Sequence, residues 1–268
     1  MTNQIIIGSL LAITVAFLAW RVKSLSTSGA LAAALMGTII FGLGGFTWAI
    51  VLLTFFVSSS LVSRLFPDRK TGVSEKYEKG SQRDASQVFA NGGIAAIFTI
   101  LHYFFPVESW PWIGFSASMA AVNADTWATE LGVLNPGLPR LITNFNKVEK
   151  GTSGAISLIG TLASLCGAGL VAAIAVLLVP GDKTIATFII ITLAGLFGAG
   201  LDSLLGATIQ AIYHCPKCNK ETERHPYHSC GTETSLFRGL RWINNDMVNI
   251  FCAVSGSFLA LIFLWIVQ

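Results

Sequence analysis

Asp125 and Glu130 stand in Asn123-Ala-Asp-Thr-Trp-Ala-Thr-Glu-Leu-Gly132, at one end of an otherwise apolar run. A third acid, Asp202, interrupts Gly195-Leu-Phe-Gly-Ala-Gly-Leu-Asp-Ser-Leu-Leu-Gly206. A carboxylate within a membrane helix costs about 2.5–3.5 kcal/mol on insertion scales, so each needs a compensating role. On a helix, Asp125, Thr129 and Gly132 share one face, and Gly198, Asp202, Gly206 and Gln210 share another. Close helix packing explains the glycines; it does not explain Asp202. Asp125, Asp202 and Asp246 together make a hard-oxygen donor set suited to Mg²⁺, which takes a few carboxylates and completes its shell with phosphate oxygens and water.

Basic and amide side chains are spaced to join them. Lys79-Gly-Ser-Gln-Arg-Asp84-Ala-Ser-Gln87-Val-Phe-Ala-Asn91-Gly-Gly93 puts Arg83, Gln87 and Asn91 at i+4 intervals, a single stripe on a helix. Asn244-Asn-Asp246-Met-Val-Asn249 puts Asp246 and Asn249 one turn apart. Asp84 and Asn244 have N-cap character, but capping is not expected to account for Gln87, Asn91 or Asn249. Lys150-Gly-Thr-Ser-Gly154 reads as the opening of a helix whose first N–H groups and positive dipole end suit a phosphate, with Lys150 adding a point charge. A short echo at Thr27-Ser-Gly-Ala30 suggests a duplicated helix pair four spans apart. Metal, phosphate cradle and basic clamp are the recurring parts of phosphoryl transfer.

Membrane helices must position these residues. The chain has 268 residues, 53% of them hydrophobic and 12% charged, which marks a polytopic membrane protein rather than a soluble domain. Eight apolar spans are expected, roughly 4–20, 28–43, 46–63, 86–105, 112–131, 153–179, 184–212 and 245–267. Each is about long enough to cross a hydrocarbon core of ~30 Å, the second and third with least to spare. The fold class is therefore all-α: one transmembrane helical bundle over 1–268, with a cytoplasmic loop at 213–244 inserted in it. All of the 17 Lys and Arg residues except Lys183 fall in the odd-numbered connections. Positive connections favour the cytoplasm, so both termini should lie outside and the polar residues gather at the cytoplasmic face. The first span has no basic residue before it and reads as a retained helix. The net charge of +3 marks loops; no aromatic-interleaved basic patch supports nucleic-acid binding.

The last connection carries Cys215-Pro-Lys-Cys218, then His225, His228 and Cys230-Gly231. A reducing compartment argues against a disulfide. Cys215, Cys218, His228 and Cys230 have the composition of a structural zinc site, although the spacing matches no standard finger and His214 is a further candidate. The alternative is a loop of unliganded thiols. Cys166 and Cys252 lie in apolar helices and read as core residues.

Five blocks taken together resemble a widespread integral membrane family. They are Lys79-Gly-x-x-Arg-Asp-x-x-Gln-Val-x-Ala-Asn-Gly-Gly93, Ala124-Asp-Thr-Trp-Ala-Thr-Glu-Leu-Gly132, Lys150-Gly-Thr-Ser-Gly154, Leu201-Asp-Ser-Leu-Leu-Gly-Ala-Thr-x-Gln210 and Asn245-Asp-x-Val-Asn249. The family's plant member is the phytyl-phosphate kinase of tocopherol and phylloquinone synthesis. The Asp125 block followed by Lys150 is also similar to the phytol kinase, dolichol kinase and CDP-diacylglycerol synthase group. That resemblance implies CTP, Mg²⁺ and a site on the cytoplasmic side of a prokaryotic cytoplasmic membrane or its equivalent. It implies transfer of a γ-phosphate to an isoprenoid monophosphate, phytyl or geranylgeranyl-like, giving the prenyl diphosphate. The long Pro-Gly-His-Gly-type block of the synthase branch is absent, which disfavours cytidylyl transfer.

On this reading Asp125 and Asp202 bind Mg²⁺, and Lys150 with Gly151, Thr152, Ser153 and Gly154 holds the nucleotide phosphates. Arg83 or Lys79 clamps the acceptor, while Gln87, Asn91 and Asn249 orient it. Asp84, Asn123, Thr129, Glu130, Gln210, Asn245 and Asp246 complete the expected binding set, Glu130 serving as base if the acceptor is an alcohol. Two readings compete. One is an ion-coupled transporter using Asp125, Glu130 and Asp202 as a relay; the other is a zinc-bearing assembly protein that recruits partners through its last loop.

Overall fold

A computed structural model describes residues 2–65, 82–181 and 184–267. Lys79, proposed above as an acceptor clamp, lies outside the described residues. Among the described residues, eight helices make up the bundle: α1 (Thr2–Arg21), α2 (Thr27–Ile39), α3 (Phe46–Arg64), α4 (Ala85–Phe104), α5 (Trp110–Gly132), α6 (Leu158–Leu178), α7 (Thr184–Thr208) and α8 (Asn245–Val267). The shortness of the second span has a local cause: α2 widens into a π-turn at Ile40–Gly44 and stops at Gly45, whose φ is +80°. Among the described residues, seven helices are long and apolar enough to cross a membrane, counting α2 together with its π-turn.

The eighth, α5, is the exception for a physical reason. It touches α3, α4, α6, α7 and α8, and every residue from Pro111 to Ala124 is buried. A helix enclosed by protein need not be lipid-compatible, so it tolerates Ser116, Ser118, Asn123 and, at its end, two acids. The exposed side chains of the surrounding helices are instead often large and apolar, such as Leu31, Phe46, Phe104, Leu177, Ile185 and Trp265. Cys252 is buried as expected, whereas Cys166 faces outward.

Small residues set the helix spacing. A Cβ added at Gly195 or Gly198 of α7 would come within 2.9 or 2.7 Å of Ala120 or Ala121 of α5, and one at Gly256 of α8 within 2.8 Å of Ala121. Backbones therefore approach closely where these three helices cross. Polar ties fix the packing: Ser257 Oγ donates to the Gly114 carbonyl at 2.9 Å.

The odd-numbered connections meet at one end of the bundle. Arg64 donates to the Val22 carbonyl and, at 2.8 Å, to Ser24 Oγ. The N–H of Ser26 donates to the Arg83 carbonyl at 3.0 Å, and the N–H of Arg83 to the Ser24 carbonyl at 3.1 Å. These connections are not wholly irregular. Between α5 and α6, β1 (Arg140–Leu141) pairs antiparallel with β2 (Ala155–Ile156). Between α7 and α8 lies a three-stranded antiparallel sheet in which β3 (Ile212–Cys215) sits between β4 (Lys220–Thr222) and β5 (Ser235–Arg238).

Two boundary expectations are corrected. The sixth helix begins at Leu158, capped by Ser157, whose hydroxyl accepts from the Gly160 N–H at 3.1 Å. Lys150–Gly154 is thus a loop before the helix, whereas Thr27–Ala30 is the first turn of α2, so the echo between them is not a structural repeat. The seventh helix ends at Thr208, which places Gln210 beyond the helical face assigned to it.

Candidate functional site

A cavity of about 530 Å³ opens among the ends of α4, α5, α6, α7 and α8 and the connections beside them. Most of the residues selected from the sequence line it. Asp125, Thr129 and Glu130 come from α5, Asp202 from α7, Gln87 and Asn91 from α4, and Asn245, Asp246 and Asn249 from α8; Arg83, Lys150, Gly151, Thr152, Ser153 and Gly154 come from the connections. Asp125 and Asp202 are direct neighbours whose carboxylates interact. One oxygen, Asp202 Oδ2, is buried without a hydrogen-bond partner. Two juxtaposed carboxylates, one with an oxygen lacking a partner, are hard oxygen donors of the kind divalent cations take.

Four expected members do other work or lie outside. Asp84 is the N-cap of α4: its Oδ1 accepts from the Gln87 N–H at 2.9 Å, and its own N–H donates to Gln87 Oε1 at 3.1 Å. That reciprocal pair is a capping box, so capping does involve Gln87, contrary to the expectation that it would not. Gln87 still lines the cavity. Asn123 is fully buried; its Nδ2 donates to the Gly167 carbonyl of α6 at 2.8 Å, and its Oδ1 accepts from Ser58 of α3 at 3.0 Å. It is a helix-packing bridge and does not line the cavity. Gln210 is also buried, accepting from Ser153 Oγ at 2.7 Å and donating to Glu223 Oε1 at 2.9 Å. It positions two cavity groups from behind. Lys79 is the fourth, outside the described residues.

The Lys150 loop is built differently from a helix start. Lys150 Nζ donates to the carbonyls of Val133 at 2.8 Å and Asn135 at 2.6 Å. It thereby places a cation at the C-terminal end of α5, where the helix dipole favours one; an ammonium has three N–H donors, so two are engaged. Gly154 has φ of +80°, and a Cβ there would strike the backbone of Ala207 on α7. Glycine is required on both counts. Within the loop, the N–H of Thr152 donates to Glu149 and that of Ala155 to Thr152; neither bond uses the N–H of Ser153 or Gly154.

Two charged residues were not singled out from the sequence. Glu223, just past β4, lines the cavity, and Arg238 on β5 donates to the carbonyls of Gly206 at 2.8 Å and Ser153 at 3.4 Å. Arg238 ties the end of α7 to the Lys150 loop. Burial lowers its pKa, opposed by the nearby Glu221 and Glu223. No local pattern separates these two from the other charges of the last connection.

The same connection assembles the cysteines. The ligand atoms of Cys215, Cys218, His228 and Cys230 all lie within 4.8 Å of one another. The Cys215 and Cys230 sulfurs are 3.6 Å apart, and His228 Nδ1 is 3.3 Å from Cys230 Sγ. Hydrogen bonds with Thr232 and His228 lower the Cys230 thiol to about 5, while its hydrogen bond with Cys230 raises Cys218 to about 11. This Cys/His cluster is able to hold a metal ion. The other candidates face elsewhere: His214 pairs with Asn219 at 3.1 Å, and His225 stacks on Tyr213 with centroids 4.4 Å apart.

Comparison with known proteins agrees with the helical architecture. The chain is 32% identical to Protein PGR of Arabidopsis thaliana, covering 96% of this chain and 94% of that protein. It is 37% identical to an uncharacterized membrane protein of Methanocaldococcus jannaschii, covering 77% of this chain and 84% of the relative. It is 28% identical to the chloroplastic Protein VTE6 of Arabidopsis thaliana, covering 90% and 66% respectively. No solved structure matches. The family described as Integral membrane protein DUF92 matches residues 10–257, and the chain belongs to that family of integral membrane proteins.

Proposed function

We propose that the protein is a membrane lipid kinase that moves the γ-phosphate of a nucleoside triphosphate onto an isoprenoid monophosphate. The P–O bond to the nucleotide's β-phosphate breaks and one forms to an acceptor phosphate oxygen, leaving a nucleoside diphosphate and a prenyl diphosphate. The observation that carries this reading is the meeting of Asp125 and Asp202 in a cavity also lined by Lys150, the 151–154 loop and Arg83. The resemblance of the sequence blocks to the family of phytyl-phosphate kinase supports the reaction class and favours CTP as donor.

Asp125 and Asp202 would hold Mg²⁺, which when bound neutralises charge on the triphosphate. Lys150 and the loop beside it anchor the donor, and Arg83 draws the acceptor phosphate to the opposite wall. Gln87, Asn91 and Asn249 orient that phosphate by hydrogen bonding. An acceptor phosphate is already ionised near neutral pH, so no deprotonating base is needed; Glu130, which accepts from Ser63 at 2.8 Å, would take that role only for an alcohol. Dense burial of α5 from Pro111 to Ala124 leaves the acids at one end of the bundle, which favours an enzyme over an ion-coupled transporter with a midplane relay. The positive connections favour this end lying at the cytoplasmic face of a prokaryotic membrane or its equivalent, with both termini outside.

Cys215, Cys218, His228 and Cys230 would bind one structural Zn²⁺, a borderline-soft ion suited to three thiolates and an imidazole. Metal analysis of purified protein is expected to return one zinc per chain.

The deciding experiment incubates detergent-purified protein with Mg²⁺, γ-labelled CTP, ATP or GTP, and phytyl or geranylgeranyl phosphate. Labelled prenyl diphosphate formed without a sealed compartment supports the kinase. Solute movement into liposomes with no labelled product overturns it in favour of transport.

A further inference from the structure

A second, narrower cavity of about 80 Å³ lies between α1, α2, α3 and α4, and its wall is almost entirely carbon. Arg83, Gln87 and Asn91 are the exceptions, and these same three residues line the polar cavity. They form the wall common to both spaces. We infer that this slot seats the hydrocarbon tail of the phosphorylated lipid whose headgroup meets Arg83, an assignment that rests on the acceptor-phosphate reading above.

The common wall has matching chemistry on its two sides. The Arg83 guanidinium donates to Ser59 Oγ at 3.0 Å and to Ser60 Oγ at 3.4 Å, and lies 5.5 and 5.8 Å from the ring centroids of Phe55 and Phe56. Hydroxyls and ring faces hold the cation, and Glu130, on the polar-cavity side, acts on it electrostatically. Phe55 and Phe56 are themselves walls of the slot. A single ligand with an anionic head and an apolar tail therefore satisfies both sides at once. Neither a free nucleotide nor a neutral hydrocarbon does.

The shape suits a thin chain rather than a ring system. Lining positions on α1 run from Ala12 to Ala19, and on α2 with its π-turn from Ala33 to Phe41, which is roughly 10–12 Å at 1.5 Å per residue. Alanines and Gly37 keep the slot open, and Met36, an adaptable side chain, packs against Gly92 on its flank. The slot borders α1, the most outward-exposed of the seven apolar helices, with 22% of its apolar window buried.

The test uses a prenyl monophosphate with a photoreactive diazirine at the end of its tail. Wild-type protein in lipid nanodiscs is irradiated with the probe and the labelled peptides are mapped by mass spectrometry. Labels are expected in α1 and α2 around the lining positions, reduced about tenfold by Arg83→Gln, which removes a charge-assisted contact to the head. Excess unlabelled prenyl monophosphate should compete and the uncharged prenyl alcohol should not. Labels on α6 or α7, or labelling indifferent to Arg83 and to the phosphate, overturn the assignment. In parallel, Ala16→Leu and Ala33→Leu should lower kcat/KM for a twenty-carbon acceptor by about tenfold while sparing a ten-carbon one, the scale at which a pocket resolves extra methylenes. Equal loss on both acceptors in a folded variant counts against the slot. If a variant does not fold, the wild-type labelling pattern decides. Slot labelling without phosphoryl transfer would end the kinase reading and keep the lipid site; transfer with labels elsewhere would do the reverse.

Discussion

Asp125 and Asp202 carry the chemical argument, and their effects should separate from those of neighbouring polar residues. Asp125→Asn and Asp202→Asn keep volume and remove charge. Each is expected to lower turnover by about 10²–10³-fold, the range for loss of one preorganised electrostatic group, with unchanged thermal unfolding in detergent. Wild-type turnover by either variant removes that residue from the proposed metal site. Asn123 provides the contrast. Its amide bridges Ser58 and Gly167 within the bilayer, so Asn123→Ala should cost about 0.6–2 kcal/mol of stability, typical of interhelical hydrogen bonds. KM for both substrates should stay put, and a selective rise in nucleotide KM would instead return Asn123 to the binding site. Proximity in sequence is thus a poor guide: Asn123 and Asp125 are two residues apart and face different environments.

At the scale of elements, the acids meet because α5 and α7 cross on small residues. Gly198→Leu would force α7 away from Ala121, a form of overpacking that costs about 1–3 kcal/mol. It should lower the unfolding temperature and abolish activity together, without altering any cavity-lining side chain. The three-stranded sheet plays a similar positioning role from the connection between α7 and α8. Cys215 ends β3 and shares its cluster with Cys218, His228 and Cys230, while Glu223 and Arg238 reach from the same sheet region to the cavity and its loop. Cys218→Ser is therefore expected to abolish zinc binding, measured by metal analysis, and to reduce activity by raising KM more than it lowers kcat. Wild-type kinetics in zinc-free protein would dissociate the metal cluster from the site.

The whole molecule is polarised. One end holds the polar cavity, the short strands and the metal-capable cluster, whereas the other packs aromatic rings, with Trp48 4.6 Å from Phe115 and 5.2 Å from Trp112 between ring centroids. Under the proposed topology of eight crossings, both termini return to the same side. Membrane-impermeant thiol labelling of single cysteines in an otherwise cysteine-free protein should modify positions 2 and 267 from outside intact cells, and position 144 only after permeabilisation. The opposite pattern would invert the orientation and move the cavity away from the cytosolic nucleotide pool.

Much of this was legible in the chain before its fold. Hydropathy marked the helices, the Lys and Arg distribution marked one face, and the misplaced acids marked residues that line one cavity, because each is a local property of a segment in lipid. The four-ligand cluster was legible too, since its members lie within sixteen residues and a short loop must bring them together. Tertiary structure alone decided the rest. It set Asp125 beside Asp202, turned Asn123 and Gln210 to packing and positioning, brought Glu223 and Arg238 to the cavity and its loop, and set Arg83 on the wall common to two cavities. A helical repeat tells which residues share a face, but which faces meet is settled by close packing between segments far apart in sequence, and no periodicity within one segment records its partner.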